Sequence, residues 1–408
     1  MTTLAITADR LFDGTGGPTL HRRVVRVQES AIHSVERDAS PTGSDTHRAF
    51  PGCTILPGLI DTHVHLVFSA AETNDEIIAL VGGESDEELV SRALANAAAA
   101  LRAGLTTVRD CGGRGRIVQA VRDRIRSGDA EGPDVLSCGM PITTRTGHCH
   151  WLGLTANTPT EVQRAAERML AEDVDFLKVM ATGGNMTASS DPMAAQYDAA
   201  TLTLIADIGR RANRHTSAHV LSRVALPGAV SARVRTIEHC DWRVEEWKYD
   251  FDADLARRMI DQGQYVGLTM SGLTRRAFLP QIARSTTGPS LRLDARFACE
   301  RRMIDAGVRY SLHSDAGVRL TPIESFALGL RAAVTELRLT PSEVLVAATG
   351  TAAEAIALTD RGTITPGRRA DLLIVEGNPL DDLAALERVR AVMKGGRWVV
   401  GADADERD

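Results

Sequence analysis

Pro57-Gly58-Leu59-Ile60-Asp61-Thr62-His63-Val64-His65 decides how this chain is read. An apolar run passes through a proline-glycine pair and closes on two histidines at spacing two, and alternate residues of an extended chain share a face. The imidazoles of His63 and His65 can then reach one ion, or they are polar residues where a strand meets solvent. The question is what stands at the ends of the other apolar runs.

Outward from this stretch, short apolar runs alternate with longer amphipathic ones, the rhythm of strands followed by crossover helices in a parallel sheet. Eight such strands are expected, at about 54–60, 105–110, 134–138, 176–180, 216–220, 235–239, 264–269 and 308–313. Eight parallel strands make a barrel. Helix starts are announced by Ser85 with Glu88, Thr158 with Glu161 and Thr340 with Glu343, the last two followed by Pro159 and Pro341. Gly104 and Gly307 suit helix ends, and Ala97 to Ala100 reads as helix. The termini differ: Arg23-Val24-Val25-Arg26-Val27, the turn cluster Asp13 to Gly17, the run Ala370 to Val375 and the hairpin-like Val392 to Val400 are short β pieces. The expected fold class is therefore α/β, a (β/α)8 TIM barrel over 57–364 with a small β-sandwich domain built from both termini, 1–56 plus 365–408.

With 53 acidic and 47 basic residues the formal net charge is −6, and no basic run is present, so nucleic acid is not an expected partner. No segment approaches the roughly 18 uninterrupted apolar residues of a membrane span, and MTTLAITADR lacks a basic region followed by an apolar core. A cytoplasmic protein with no membrane partner is the expectation. The six cysteines are far apart with no CxxC pair, which argues against a disulfide framework or a zinc finger.

Asp175-Phe176-Leu177-Lys178-Val179-Met180 places one lysine inside an apolar run, where a charged ammonium is costly. Such a lysine either snorkels to solvent, or stays neutral and reacts with carbon dioxide to give an anionic carbamate able to bridge two cations. Three more strand ends shift the balance: Ser217-Ala218-His219, Thr236-Ile237-Glu238-His239, and Ser311-Leu312-His313-Ser314-Asp315. In a parallel barrel these ends share one rim, the face that carries active sites. His63, His65, Lys178, His219, His239 and Asp315 converge there as six potential metal ligands.

On PGLIDTHVH, GLTTVRD, FLKVMATGG, SAHV, IEHC and HSDAG, the chain resembles the amidohydrolase superfamily over nearly its whole length. The resemblance implies two divalent ions, most simply Zn2+: one on His63, His65 and Asp315, one on His219 and His239, with Lys178 carboxylated on its terminal nitrogen as the bridge. Arg145 to Gly153 and Lys178 to Thr187 look like the branch of Xaa-Pro and other dipeptidases, with imidazolonepropionases as neighbours. That likeness puts His148 beside the substrate and makes Tyr197 the group that polarises its carbonyl. His150 and Arg145 are further substrate candidates, Arg145 as a partner for a carboxylate or as a solvated ion pair. Gly183 and Gly184 let backbone approach the site, or mark a plain turn.

The chain departs from that branch at the eighth strand, where His313-Ser314-Asp315-Ala316-Gly317 stands in place of Gly-Thr-Asp-Ala-Gly. Alternation turns His313 to the face of Asp315, to contact substrate or cap the core. Asp241 to Tyr249 is rich in aromatic and charged residues, although the chain has only 4% aromatics, and suggests a substrate wall or a subunit contact.

The implied reaction is hydrolysis of an amide or peptide-type C–N bond in a small molecule, a dipeptide or N-acyl amino acid, with a water activated between two cations and Asp315 as general base and then acid. Lactones, carbamates and cyclic amides remain open on the same chemistry. Mononuclear deaminases of the superfamily carry a glutamate where this chain has Ser222, which argues against deamination. A non-catalytic scaffold would lack ligands, and none is missing. A homo-oligomer is expected by analogy.

Overall fold

The computed structural model describes residues 3–37, 45–246, 248–272 and 289–401. Eight parallel strands organise it: Leu59–Val64, Leu105–Asp110, Asp134–Ser137, Leu177–Met180, Thr216–His219, Thr236–Glu238, Tyr265–Thr269 and Arg309–His313. The first three form one sheet and the last five another, and every strand pair is parallel. One parallel bridge, Ile142 with Val179, joins the sheets at one seam, and Val64 with Ala316 joins them at the other. The strands are short and buried on both faces, all six residues of Leu59–Val64 and of Leu105–Asp110 included, as strands covered by crossover helices must be.

The helices start where the sequence places their caps. Ser85, Thr158 and Thr340 accept the N3 amide, and Glu88, Glu161 and Glu343 return the bond, with Pro159 and Pro341 in the first turn. Thr73 with Glu76 is a fourth such box, at the start of the helix Asn74–Gly83. The alanine run lies in the helix Asp86–Arg102, whose buried Leu89, Ala93, Ala97 and Ala100 recur every three or four residues. Gly104 (φ +90°) and Gly307 (φ +91°) take the left-handed conformation that closes the helices before their strands.

The first expected strand, 54–60, corresponds to no single element. Asp45–Pro57 belongs to the terminal sheet and Leu59–Val64 to the parallel layer, so the apolar run spans two strands of different sheets. Gly58 makes the break: its N–H bonds the Asp371 carbonyl at 3.0 Å, and a Cβ there would lie 2.2 Å from Thr106 Oγ1.

Both termini contribute to one eight-stranded sheet. Its main path runs Arg397–Val400, Val389–Lys394, Leu372–Glu376, Asp45–Pro57, Thr3–Leu11, Arg23–Gln28, Ala31–Arg37, with Leu20–His21 paired to Thr3–Leu11. The expected C-terminal hairpin turns on Gly395 (φ +55°) and Gly396 (φ +79°). Ile6, Val25, Ile55, Ile374 and Met393 form this sheet's own buried cluster, while Leu56, Leu373 and Val375 pack into the main core. Among the described residues no helix is long and apolar enough to cross a membrane.

Candidate metal centre

The C-terminal ends of the parallel strands carry the histidines. A cavity of about 150 Å³ opens there, lined by His63, His65, Lys178, His219, His239 and Asp315 together with His148 and an apolar group that includes Phe68, Met186 and Val318. The six expected ligands are thus brought together. Nε2 of His63 and Nε2 of His65 each lie 3.4 Å from Asp315 Oδ1, and His239 Nε2 lies 2.9 Å from His219 Nδ1.

Each of these four histidines has its other ring nitrogen held by an oxygen outside the cluster. His63 Nδ1 meets Glu238 Oε2 at 3.2 Å, His65 Nδ1 the Gly112 carbonyl at 2.9 Å, His219 Nε2 the Gly183 carbonyl at 3.2 Å, and His239 Nδ1 the Thr269 hydroxyl at 2.6 Å. An N–H donated outward leaves a lone pair facing inward. Four inward lone pairs and a carboxylate then share the cavity wall with the buried Lys178, whose Nζ has no hydrogen-bond partner among the described residues. Two imidazole lone pairs within 2.9 Å repel unless a proton or a cation lies between them. Divalent cations fit this donor set, since imidazole and carboxylate ligands with outer hydrogen bonds are what such ions take.

Electrostatics favour neutral imidazoles. Burial first, and then the nearby Lys178, hold His63 well below its ordinary range. His219 and His239 are lowered likewise, by burial and then by His148 and His219 respectively. Burial opposes ionisation of Asp315, yet His63 first, then His65 and His239, outweigh it and keep the carboxyl well below the usual carboxylate range. His65 goes the other way: burial would lower it, but the bond and charge of Asp315 raise it. The inward nitrogen of His65 thus faces the Asp315 carboxylate at 3.4 Å.

Backbone strain marks the same places. His239 (φ +65°), Cys240 (φ +44°) and Asp315 (φ +57°) adopt left-handed conformations at the strand ends. At His239 this breaks the alternation, so that Glu238 and His239, neighbours in sequence, both serve the interior.

Beneath the histidines lies a layer that sequence reasoning missed. Glu238, fully buried, accepts from Arg109 Nη2 at 2.6 Å, Ser217 Oγ at 2.8 Å, Thr236 Oγ1 at 2.5 Å and His63 Nδ1. Burial would raise its carboxyl, but Arg109 and the His63 bond hold it far below the usual range. Asp61 accepts the His63 amide at 3.2 Å and the Ser314 hydroxyl, tying the first strand end to the eighth. Asp110 accepts the amides of Leu66 and Gly112 at 2.7 and 3.0 Å, fixing the loop whose carbonyl orients His65. An acidic residue inside each of the apolar runs LIDTHV, TTVRD and TIEH is the signal that could have found them.

His148 reaches the cavity. Its ring packs on His219 at 4.6 Å, its Nδ1 is buried without a partner among the described residues, and burial pushes its pKa down to about 3. A Cβ on Gly184 would lie 2.4 Å from that ring, and one on Gly183 only 2.0 Å from the Asp191 carbonyl oxygen, so both glycines are close approaches.

The other substrate candidates are not in this wall. Tyr197 is buried and gives its hydroxyl to the Ala156 carbonyl at 2.7 Å, so it packs the strand-four loop. Arg145 has 71% of its side chain exposed and pairs with Glu161 at 3.4 Å. His150 Nδ1 bonds the Gly147 carbonyl at 2.9 Å within its own turn. His313 lies under the site: it is fully buried, stacks on His63 at 4.7 Å and approaches Glu238 at 3.6 Å, so it caps the interior. Trp242 is 1% exposed against Phe251, a core residue and not a substrate wall, while Trp247 lies outside the described residues. All six cysteines are free and buried.

The profile of the Amidohydrolase family matches residues 54–399. The chain is 26% identical to the ochratoxinase of Aspergillus niger, over 97% of this chain and 86% of that protein. It is 26% identical to the imidazolonepropionase of Salinispora tropica, over 89% and 88% respectively. Among solved structures it is similar to a Xaa-Pro dipeptidase with methionine bound in the active site, with a TM-score of 0.86 and 23% identity over 98% of this chain and 100% of that one.

Proposed function

We propose, from the premise that this chain belongs to the amidohydrolase family, that it is a metal-dependent hydrolase of an amide C–N bond in a small molecule, a dipeptide or N-acyl amino acid. Relatives named ochratoxinase and imidazolonepropionase support C–N bond hydrolysis, and the likeness to a Xaa-Pro dipeptidase supports one closed (β/α)8 barrel behind the two joined sheets. The observation that carries the reading is the set of four histidines whose outer nitrogens are all committed and whose inner nitrogens converge with Asp315 on the cavity lined by Lys178, whose Nζ has no partner among the described residues.

His63, His65 and Asp315 would hold one divalent ion and His219 with His239 a second, Zn2+ in our reading, and Lys178 would bridge them as its carbamate. Such ions lower the pKa of water and polarise a carbonyl. The chain's own residues do the rest. Asp315, kept ionised at neutral pH by His63, His65 and His239, is ready to take a proton from the attacking water and return it to the departing amine. His148, neutral and lining the cavity, can donate a hydrogen bond from its ring to the substrate as charge develops on its oxygen. Phe68, Met186 and Val318 exclude water from one side of the cavity. Ser222 caps the turn after strand five, its Oγ accepting from Val224 at 3.3 Å and donating to the Arg243 carbonyl at 3.2 Å, and this leaves no glutamate there for a deaminase proton shuttle.

The test is turnover of L-Xaa-L-Pro, L-Xaa-L-Arg and N-acyl-amino-acid panels by protein prepared with zinc and bicarbonate. Hydrolysis that is lost in Lys178→Ala and partly restored by added short-chain carboxylates supports the reading. A silent panel with ions bound moves the substrate to lactones, carbamates or cyclic amides.

A further inference from the structure

The cavity has a charged wall that the hydrolytic residues do not use. Arg296, on the helix Pro289–Asp305, lines it beside Ser271, Gly272 and Asp241, with 13% of its side chain exposed. Its Nε donates to Glu300 Oε1 at 2.6 Å and its Nη2 to the Thr269 carbonyl at 3.2 Å. Two of the five guanidinium N–H groups are thereby committed, and among the described residues none accepts from Nη1. Glu300 is 1% exposed and sits one helical turn along, so it anchors the inner edge of the guanidinium and leaves the outer edge to the cavity.

Thr269 fixes the distance to the reaction centre. Its hydroxyl holds His239 Nδ1 at 2.6 Å while its carbonyl holds Arg296, so one residue separates the histidine pair from the guanidinium. Glu300 pairs with the guanidinium and the Asp241 carboxylate lies near it, so an anion is recognised there by directed hydrogen bonds and not by net charge. That favours a flat carboxylate, which matches the guanidinium fork, over a spherical ion.

We propose that Arg296 is the subsite for a carboxylate of the substrate, held on the edge of the guanidinium that faces the cavity. The assignment rests on reading this cavity as the hydrolytic site. It moves the role of carboxylate partner from Arg145, which faces solvent.

Isothermal titration of the zinc-loaded protein with L-leucine and with L-leucinol, which lacks the carboxylate and cannot be hydrolysed, tests it. Wild type is expected to bind leucine at least about tenfold more tightly, and R296Q/E300Q, which removes the buried pair together, to narrow the preference to about twofold with zinc content unchanged. R296K, which keeps the charge without the fork, should fall between them, and it carries the test if the double variant does not fold. No preference in wild type, no binding of leucine, or a preference that survives in the variants overturns the proposal. If the substrate panel is silent yet the preference collapses in the variants, the reaction class fails while the subsite stands.

Discussion

Glu238 shows how much of the candidate metal centre would depend on residues beneath its potential ligands. Its carboxylate receives Arg109 and the Nδ1 of His63, and so fixes which nitrogen of His63 faces the cavity. Glu238→Gln should weaken zinc binding by about 10–100-fold in a chelator competition. It should also lower unfolding stability by roughly 3 kcal/mol, because Arg109 would be left as an uncompensated buried charge. Unchanged zinc affinity would mean that His63 needs no such partner. The six potential ligands were legible in the sequence because each stands within or at the end of an apolar run. The residues supporting them were not, since hydrogen bonds such as that from Ser314 to Asp61 join positions 253 apart. Tyr197 and Arg145 lie away from the cavity for a related reason: residues on loops are aimed by packing that one-dimensional spacing does not encode.

At the scale of elements, the strand ends do the positioning. Alternation and cap signals located most strands and helices, because the capping boxes at Ser85, Thr158 and Thr340 are local chemistry. Removing one, as in Thr158→Ala, should cost about 1 kcal/mol in thermal or chemical unfolding and leave activity alone. The run from Thr54 to Val64 misled because two strands follow one another with only Gly58 between them, and periodicity cannot see which sheet a strand joins. The loop after strand four is tighter than its sequence suggests. Gly184→Ala would press a methyl into the His148 ring, and kcat/KM is expected to fall at least about tenfold with zinc content and Tm nearly unchanged. A fall in zinc content instead would place His148 among the groups that hold the ion.

Across the whole molecule, the terminal sheet is locked to the parallel layer by charge at the end remote from the cavity. Asp134, which opens the third parallel strand, meets Arg361 at 2.6 Å, Arg369 at 2.9 Å and Lys394, from the terminal sheet, at 3.1 Å. Burial would raise its carboxyl, but Arg369, Lys394 and Arg361 together bring it below the usual value. A depressed carboxylate stabilises the fold above its unfolded pKa, and that stabilisation is lost as pH falls through the folded value. Asp134→Asn should therefore cost about 1–3 kcal/mol at pH 7, and the gap between variant and wild type should close as the pH drops below about 4. A gap independent of pH would mean that the carboxylate's charge is not what holds the two layers.

The central claim is that the strand ends form a centre for two divalent ions, and the most direct measurement is the zinc content per chain of protein purified after expression with zinc, before and after chelation. Two ions per chain are expected, with hydrolysis lost on chelation and recovered when zinc is returned. A protein that retains no ion at saturating zinc, or that hydrolyses its substrate equally well after full chelation, would contradict it.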